Sequence, residues 1–326
     1  MRRYARTLVT VALTTTVVTG TAGWASGSAQ QAVTGVPVGT EAWRAEGLPD
    51  PARMTAAQVA AYFRGLGPAR QRELVRAHPS VVGNLDGAPL PLRYEANALT
   101  AGSRYAGRQI LAYDPRGRGQ VALVQGDLAR AEHVAVVVPG SDIDAANITP
   151  LTDKADALRR AAGDDTAVVA WAGYTTPVGV GVDAATGKLA EAGAERLTRL
   201  ADGLDAVGAA EPAVFCHSYG SVVCGLAAHD LKAKDLVVLA SPGMRADNVR
   251  ELRTPARVWA AKDPSDWIGK VPNVRFAGLG HGEDPTDPAF GARRVPADDA
   301  RGHDGYFAPG TGSLRTFAAI ARGEVR

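Results

Sequence analysis

Beyond residue 100 the chain alternates between short, nearly continuous apolar runs and amphipathic segments. The runs are HVAVVVPG (133–140), TAVVAWAG (166–173), PAVFCHS (212–218), DLVVLASPG (235–243), ARVWAAKD (256–263) and NVRFAGLG (273–280). Runs of this kind predict strands buried on both faces, as in a parallel sheet. Between them, PLTDKADALRRAAG puts Leu151, Ala155 and Leu158 on one helical face, and KLAEAGAERLTRLADGLDAVG and SVVCGLAAHDL read as further helices. SLRTFAAIARG predicts a closing helix. Upstream, GRQILAYDP and GQVALVQGD flank the turn PRGRG and predict a hairpin, which gives the sheet an antiparallel edge. The class is α/β, a mostly parallel sheet of about eight strands flanked by helices. Ligands in such sheets bind beyond the carboxyl ends of the strands, at the loops that begin at Gly140, Gly173, Ser218, Ser241, Lys262 and Gly280.

Residues 30–100 read differently. Thr55 followed by Gln58 makes a capping box for MTAAQVAAYFRGL, and Pro68 occupies a first helical position for PARQRELVRAH. HPSVVGNLDGAPLPLRYEANAL is turn-rich. This stretch is expected to be a helical appendage, either a lid or a brace, on a main domain spanning 101–326. Residues 1–29 carry a basic start, an apolar and threonine-rich middle, and small residues at Ala25 and Ala29, which predict a secretory signal peptide. Glycine, threonine and serine interrupt the run too often for a bilayer span of about 20 apolar residues, so no stable membrane insertion is expected after its removal. The Arg2-Arg3 pair leaves the export route open.

Composition excludes several functions. Of 326 residues, 46% are hydrophobic and 21% charged, enough for a sizeable core, and the net charge of +2 is spread without a basic block beyond the N-terminus. No nucleic-acid surface is expected. GVGVDAATG lacks both the Walker lysine and the dinucleotide spacing, so no cofactor is expected. Asp142 and Asp144 lack a further ligand pattern and read as turn and cap residues, so no metal is expected.

Candidate chemistry concentrates at AVFCHSYGSVVCG (213–225), where Ser218 lies between a strand and a helix and Gly220 follows two residues later. A nucleophile elbow needs such small neighbours because strand and helix approach closely around a strained serine. Cys216 stands where a glycine is usual. Together with VVGNLDGAPLPLRYEAN, VVVPGSD, HGEDPTDPAFGA and GHDGYFAPGTGSL, this corner resembles a family of actinobacterial secreted α/β-hydrolases that carry GHSYGS at the same place. The resemblance implies the α/β-hydrolase fold and a serine nucleophile, and leaves the substrate open.

Such a serine needs a base and an acid, which in this fold follow it in the order acid, histidine. The resemblance assigns the base to the GH-x-x-YF motif, hence His303. His281 is the rival, with a loop histidine bonded to Asp284 or Asp287 as its plainer reading. His229, about three helical turns from the serine, points to the wrong end. Asp266 is the favoured acid in KDPSDW, with Asp263 the runner-up or a turn former. The amides of Ser141 and Tyr219 are the expected oxyanion donors. His217 faces the opposite side of its strand and reads as a core histidine. Trp171 and Tyr174 read equally as an acyl-pocket wall or as core.

The expected activity is a secreted serine esterase or lipase acting on a small-molecule acyl substrate through an acyl-enzyme. An amidase acting on a small secreted metabolite and a non-catalytic binding module are the alternatives. Oligomeric state is not encoded. Export also bears on the two cysteines: Cys224 descends along its helix to the level of Cys216, so in an oxidising compartment the pair forms one bridge or stays as two buried thiols.

Overall fold

The computed structural model describes residues 29–275 and 278–325; apart from Ala29, the expected signal peptide lies outside them. The hairpin around PRGRG forms as β1 (Gln109–Asp114) and β2 (Gln120–Gln125). The apolar runs form β3 (His133–Val138), β4 (Thr166–Ala172), β5 (Ala213–His217), β6 (Asp235–Leu239) and β7 (Arg257–Ala261). With β8 (Arg293–Arg294) they make one sheet in the order β1-β2-β4-β3-β5-β6-β7-β8. β2 runs antiparallel to β1 and β4, and every other pairing is parallel.

One expected strand does not form among the described residues. The described part of NVRFAGLG turns at Gly278 and Gly280, both at positive φ, and leaves Val274 46% and Leu279 43% exposed. A strand buried on both faces tolerates neither feature, and the edge position goes to β8 beside Trp259 and Ala260.

Period-two alternation divides the core. Val134, Val136 and Val138 face the layer formed by α8 (Lys188–Ala206) and α9 (Gly220–Ala227). Ala135 and Val137 face the layer formed by α6 (Thr149–Ala162) and α10 (Gly312–Ala321). The short α7 (Val182–Ala185) precedes α8.

The N-terminal helices are α1 (Thr40–Ala45), α2 (Ala56–Arg64), α3 (Pro68–Ala77), α4 (Pro79–Val82) and α5 (Leu90–Ala101). The Thr55–Gln58 capping box is present. The stretch that reads as turn-rich contains α4 and α5 because Pro79 and Pro91 sit in first turns and Pro89 at the cap before α5, where a missing N–H costs nothing. These helices have their own core, built on Trp43, Phe63, Leu74, Val82 and Leu85. α5 packs on β1 and α2 packs on α8, while the Asn97 amide donates to the carbonyls of Gly83 and Ile110 at 2.9 and 3.0 Å.

Cys216 points from β5 toward α9, and its sulfur is bonded to that of Cys224, with α-carbons 6.4 Å apart. Denatured, unreduced protein is therefore expected to show no free thiol. Two titratable thiols per chain would contradict the bridge.

Candidate active site

β5 ends at His217 and α9 begins at Gly220, so the chain turns at Ser218. Ser218 adopts φ 54°, a left-handed conformation that costs a non-glycine residue about 1–2 kcal/mol. The corner is held by the Ser218 amide, which donates to the Leu239 carbonyl at 2.9 Å. Two glycines make the close approach possible. A Cβ on Gly220 would lie 2.6 Å from the Pro139 carbonyl oxygen, and one on Gly140 would lie 2.6 Å from Ser218 Cβ. Cys216 needs no such allowance, because its side chain is directed into the core and engaged with Cys224.

Three sequence-distant side chains meet here. Ser218 Oγ lies 2.9 Å from His303 Nε2, and His303 Nδ1 lies 2.8 Å from Asp266 Oδ1. An ionised carboxylate only accepts, so His303 donates through Nδ1 and accepts the serine hydroxyl through Nε2. Asp266 also accepts from the Ile268 amide at 2.9 Å and from the Tyr306 hydroxyl at 2.7 Å. Burial alone would raise its pKa; the bonds from His303, Ile268 and Tyr306 outweigh burial and hold it below the ordinary carboxylate value.

Asp263 takes a different place. It accepts from the Ser265 amide at 2.8 Å and from the amides of Arg301 and Gly302 at 3.3 and 3.2 Å, so it ties down the backbone just before His303. Tyr306 links both acids, accepting from the Asp263 amide at 2.9 Å while donating to Asp266. The aromatic in GHDGYF is thus part of the acid's hydrogen-bond shell, a link that a pairing over 40 residues hides from local pattern reading. Trp267, 40% exposed, lays its ring 4.5 Å from that of His303 between centroids. His217 is buried and also serves the site, donating through Nε2 to the His303 carbonyl at 2.7 Å.

The rival base lies elsewhere. His281 Nε2 donates to the Ala184 carbonyl at 2.7 Å, and its ring packs edge-on against Tyr219. It is bonded to neither acid of the plainer reading: Asp284 pairs with Lys262, and Asp287 caps the turn at residues 288–290. His229 is exposed, with its Nδ1 3.3 Å from the Arg253 carbonyl.

The amides of Ser141 and Tyr219 donate no hydrogen bond among the described residues. The loop carrying Ser141 is braced from below, because the Tyr174 hydroxyl donates to the Pro139 carbonyl at 2.7 Å. Tyr174 stacks on Trp171, and both are core residues, which decides between their two readings. Ser218 and His303 open into a cleft of about 730 Å³, within the size range of small-molecule sites. The loops after β3, β4, β5 and β7 contribute to it, whereas those at Ser241 and Gly280 do not. Asp142 and Asp144 bind the Gly179 amide and the amides of Ala146 and Asn147, and no acidic, histidine or cysteine cluster among the described residues could hold a metal.

Burial lowers the pKa of both His217 and His281 to about 4. Between pH 6.5 and 4 the unfolded chain therefore binds protons that these folded rings refuse, and stability falls as pH falls, by up to about 1.4 kcal/mol per unit for each ring. Urea titrations from pH 7.5 to 4.5 are expected to show this decline, and His281→Gln to flatten part of it. A pH-independent midpoint would contradict the assignment of two neutral buried imidazoles.

An alpha/beta hydrolase family model matches residues 114–276, half of the chain; the match includes Ser218 and Asp266 and ends before His303. An uncharacterised protein of Mycobacterium tuberculosis, found in two strains, is 27% identical over 82% of this chain, which spans only 56% of that relative's length. Among solved structures, a predicted CIB-like hydrolase of Thermoplasma acidophilum is 14% identical with a TM-score of 0.42, over 66% of this chain and 97% of its own. A Xanthomonas campestris protein described as an α/β serine hydrolase without lid is 19% identical with a TM-score of 0.38, over 67% and 95%. With its eight-stranded, mostly parallel sheet and a family match over half its length, the chain belongs to the alpha/beta hydrolase family.

Proposed function

We propose that the protein is an exported serine hydrolase that cleaves ester bonds through an acyl-enzyme. The observation that carries this reading is the hydrogen-bonded series Ser218–His303–Asp266 at a serine held at positive φ. A serine held in this strained corner, with its hydroxyl on the imidazole Nε2, is set up for nucleophilic attack. As Ser218 Oγ bonds to the ester carbon, its proton passes to His303 Nε2, and Asp266 stabilises the imidazolium without taking the proton. The charge on the carbonyl oxygen is met by the amides of Ser141 and Tyr219. His303 then protonates the leaving alcohol. A water molecule, deprotonated by His303, releases the carboxylic acid from Ser218 and restores the enzyme.

Apolar side chains along the cleft, including Ile143, Leu151, Val180, Trp267 and Phe307, suit an acyl chain. The Cys216–Cys224 bond supports export to an oxidising compartment. A panel of p-nitrophenyl esters of increasing chain length, paired with the corresponding anilides, tests the bond type. Ester turnover well above anilide turnover is expected. The reverse order would make the protein an amidase, and turnover of neither, with no fluorophosphonate labelling, would make it a binding module.

A further inference from the structure

A second cavity, of about 300 Å³, lies where the N-terminal helices meet the hydrolase sheet. Residues 33–37, the start of α2, the loop at 84–86, α8 and the β1–β2 hairpin enclose it, and it shares no lining residue with the catalytic cleft. Its wall is mixed, with an apolar part formed by Val33, Val59, Leu85, Val121, Trp171 and Leu200 beside charged and amide side chains. Gln120 lines it at 2% exposure, yet neither its amide nitrogen nor its oxygen finds a partner among the described residues. A buried primary amide without partners is unusual in a folded protein and points to something absent from the protein itself.

The charges around Gln120 are unequally satisfied. The Asp114 carboxylate accepts from Arg116 Nε, Nη2 and backbone N–H at 2.6–3.1 Å. Asp86 is paired with Arg93 at 3.1 Å. Arg196 is left with a distant contact, 3.9 Å from the same Asp114, and makes no hydrogen bond among the described residues. Of the other lining charges, Asp202 pairs with Lys232 at 3.2 Å, and Glu195 and Arg199 are exposed. The inner acids thus have their own arginines, while the Arg196 fork and the Gln120 amide face the cavity with open donors. A guanidinium fork suits the two oxygens of a carboxylate, and an amide lining the same cavity suits a further polar atom.

We propose that this cavity binds a small organic carboxylate with an apolar body, the carboxylate pairing with Arg196 and hydrogen-bonding to Gln120. The site is independent of the catalytic reading, since it uses no residue of that machinery. Phenylacetate serves as the probe in calorimetric titration of the full chain, with phenylacetamide as its uncharged counterpart. Saturable one-to-one binding of phenylacetate is expected, with phenylacetamide at least about tenfold weaker. Arg196→Leu and Gln120→Leu are each expected to weaken phenylacetate binding about tenfold or more while leaving the melting temperature of the unliganded protein within a few degrees. Ala192→Phe, which fills the cavity from α8, is expected to abolish binding and provides a test that removes no polar group. No saturable binding, equal affinity for phenylacetamide, or binding unmoved by all three substitutions would overturn the proposal. So would binding that survives Arg196→Leu but is lost in Trp267→Ala, because that would put phenylacetate in the catalytic cleft.

Discussion

Replacing Ser218 by alanine is expected to lower ester turnover by about 10⁴-fold or more, because it removes the hydroxyl that faces His303 Nε2 and no other among the described residues is bonded there. Stability is expected to separate from activity at this position. Alanine retains the Cβ that makes φ 54° costly, whereas glycine does not. Ser218→Gly is therefore expected to be as inactive as Ser218→Ala but about 1 kcal/mol more stable. Steady-state kinetics on a p-nitrophenyl ester together with urea midpoints for the two variants make the check. Substantial residual turnover in either variant would remove Ser218 as nucleophile, and equal midpoints would remove the strain argument.

The second large effect is expected at Asp266. An asparagine there can turn its NH₂ toward His303 Nδ1, which must then accept. The remaining imidazole proton moves to Nε2, where it faces the serine and prevents deprotonation. A loss on the order of 10³–10⁴ in kcat is expected for Asp266→Asn with the fold unchanged. Asp263→Asn weakens the ties to Ser265 and to the amides of Arg301 and Gly302 without touching His303 itself, and a loss of about tenfold to a hundredfold through misplacement of His303 is expected. His303→Ala and His281→Ala provide the parallel contrast for the base, since His281 is bonded to the Ala184 carbonyl and is absent from the cleft lining. If Asp263→Asn proved the more damaging of the two, or if only His281→Ala abolished turnover, the assignment of acid and base would have to be exchanged.

Much of this organisation was legible in the residues because it is written locally. The parallel strands appear as uninterrupted apolar runs, the capping box as Thr55 and Gln58, and the elbow as a small-residue corner between strand and helix. What escaped was written non-locally or in ambiguous signs. α5 was hidden because a proline in a first turn looks like a turn signal. β8 is a two-residue edge strand of arginines with no apolar run to mark it, and NVRFAGLG has the apolar content of a strand but glycines that bend it. His217 does lie on the opposite face of β5, as alternation requires, but that face meets the loop carrying His303, which is 86 positions away. Periodicity reports which side a residue faces; it does not report what arrives there from elsewhere in the chain.

The bond between Cys216 and Cys224 has a consequence for the denatured protein as well as for the folded one. It closes a ring with a sequence separation of eight, and Ser218 lies inside that ring. However far the rest of the chain expands in denaturant, the end of β5 and the first turns of α9 cannot part, so the two flanks of Ser218 explore only ring conformations. In a chain-entropy estimate this removes about 2.5 kcal/mol of denatured-state freedom. The left-handed serine at the corner thus lies in a stretch of chain that has less freedom to lose on folding.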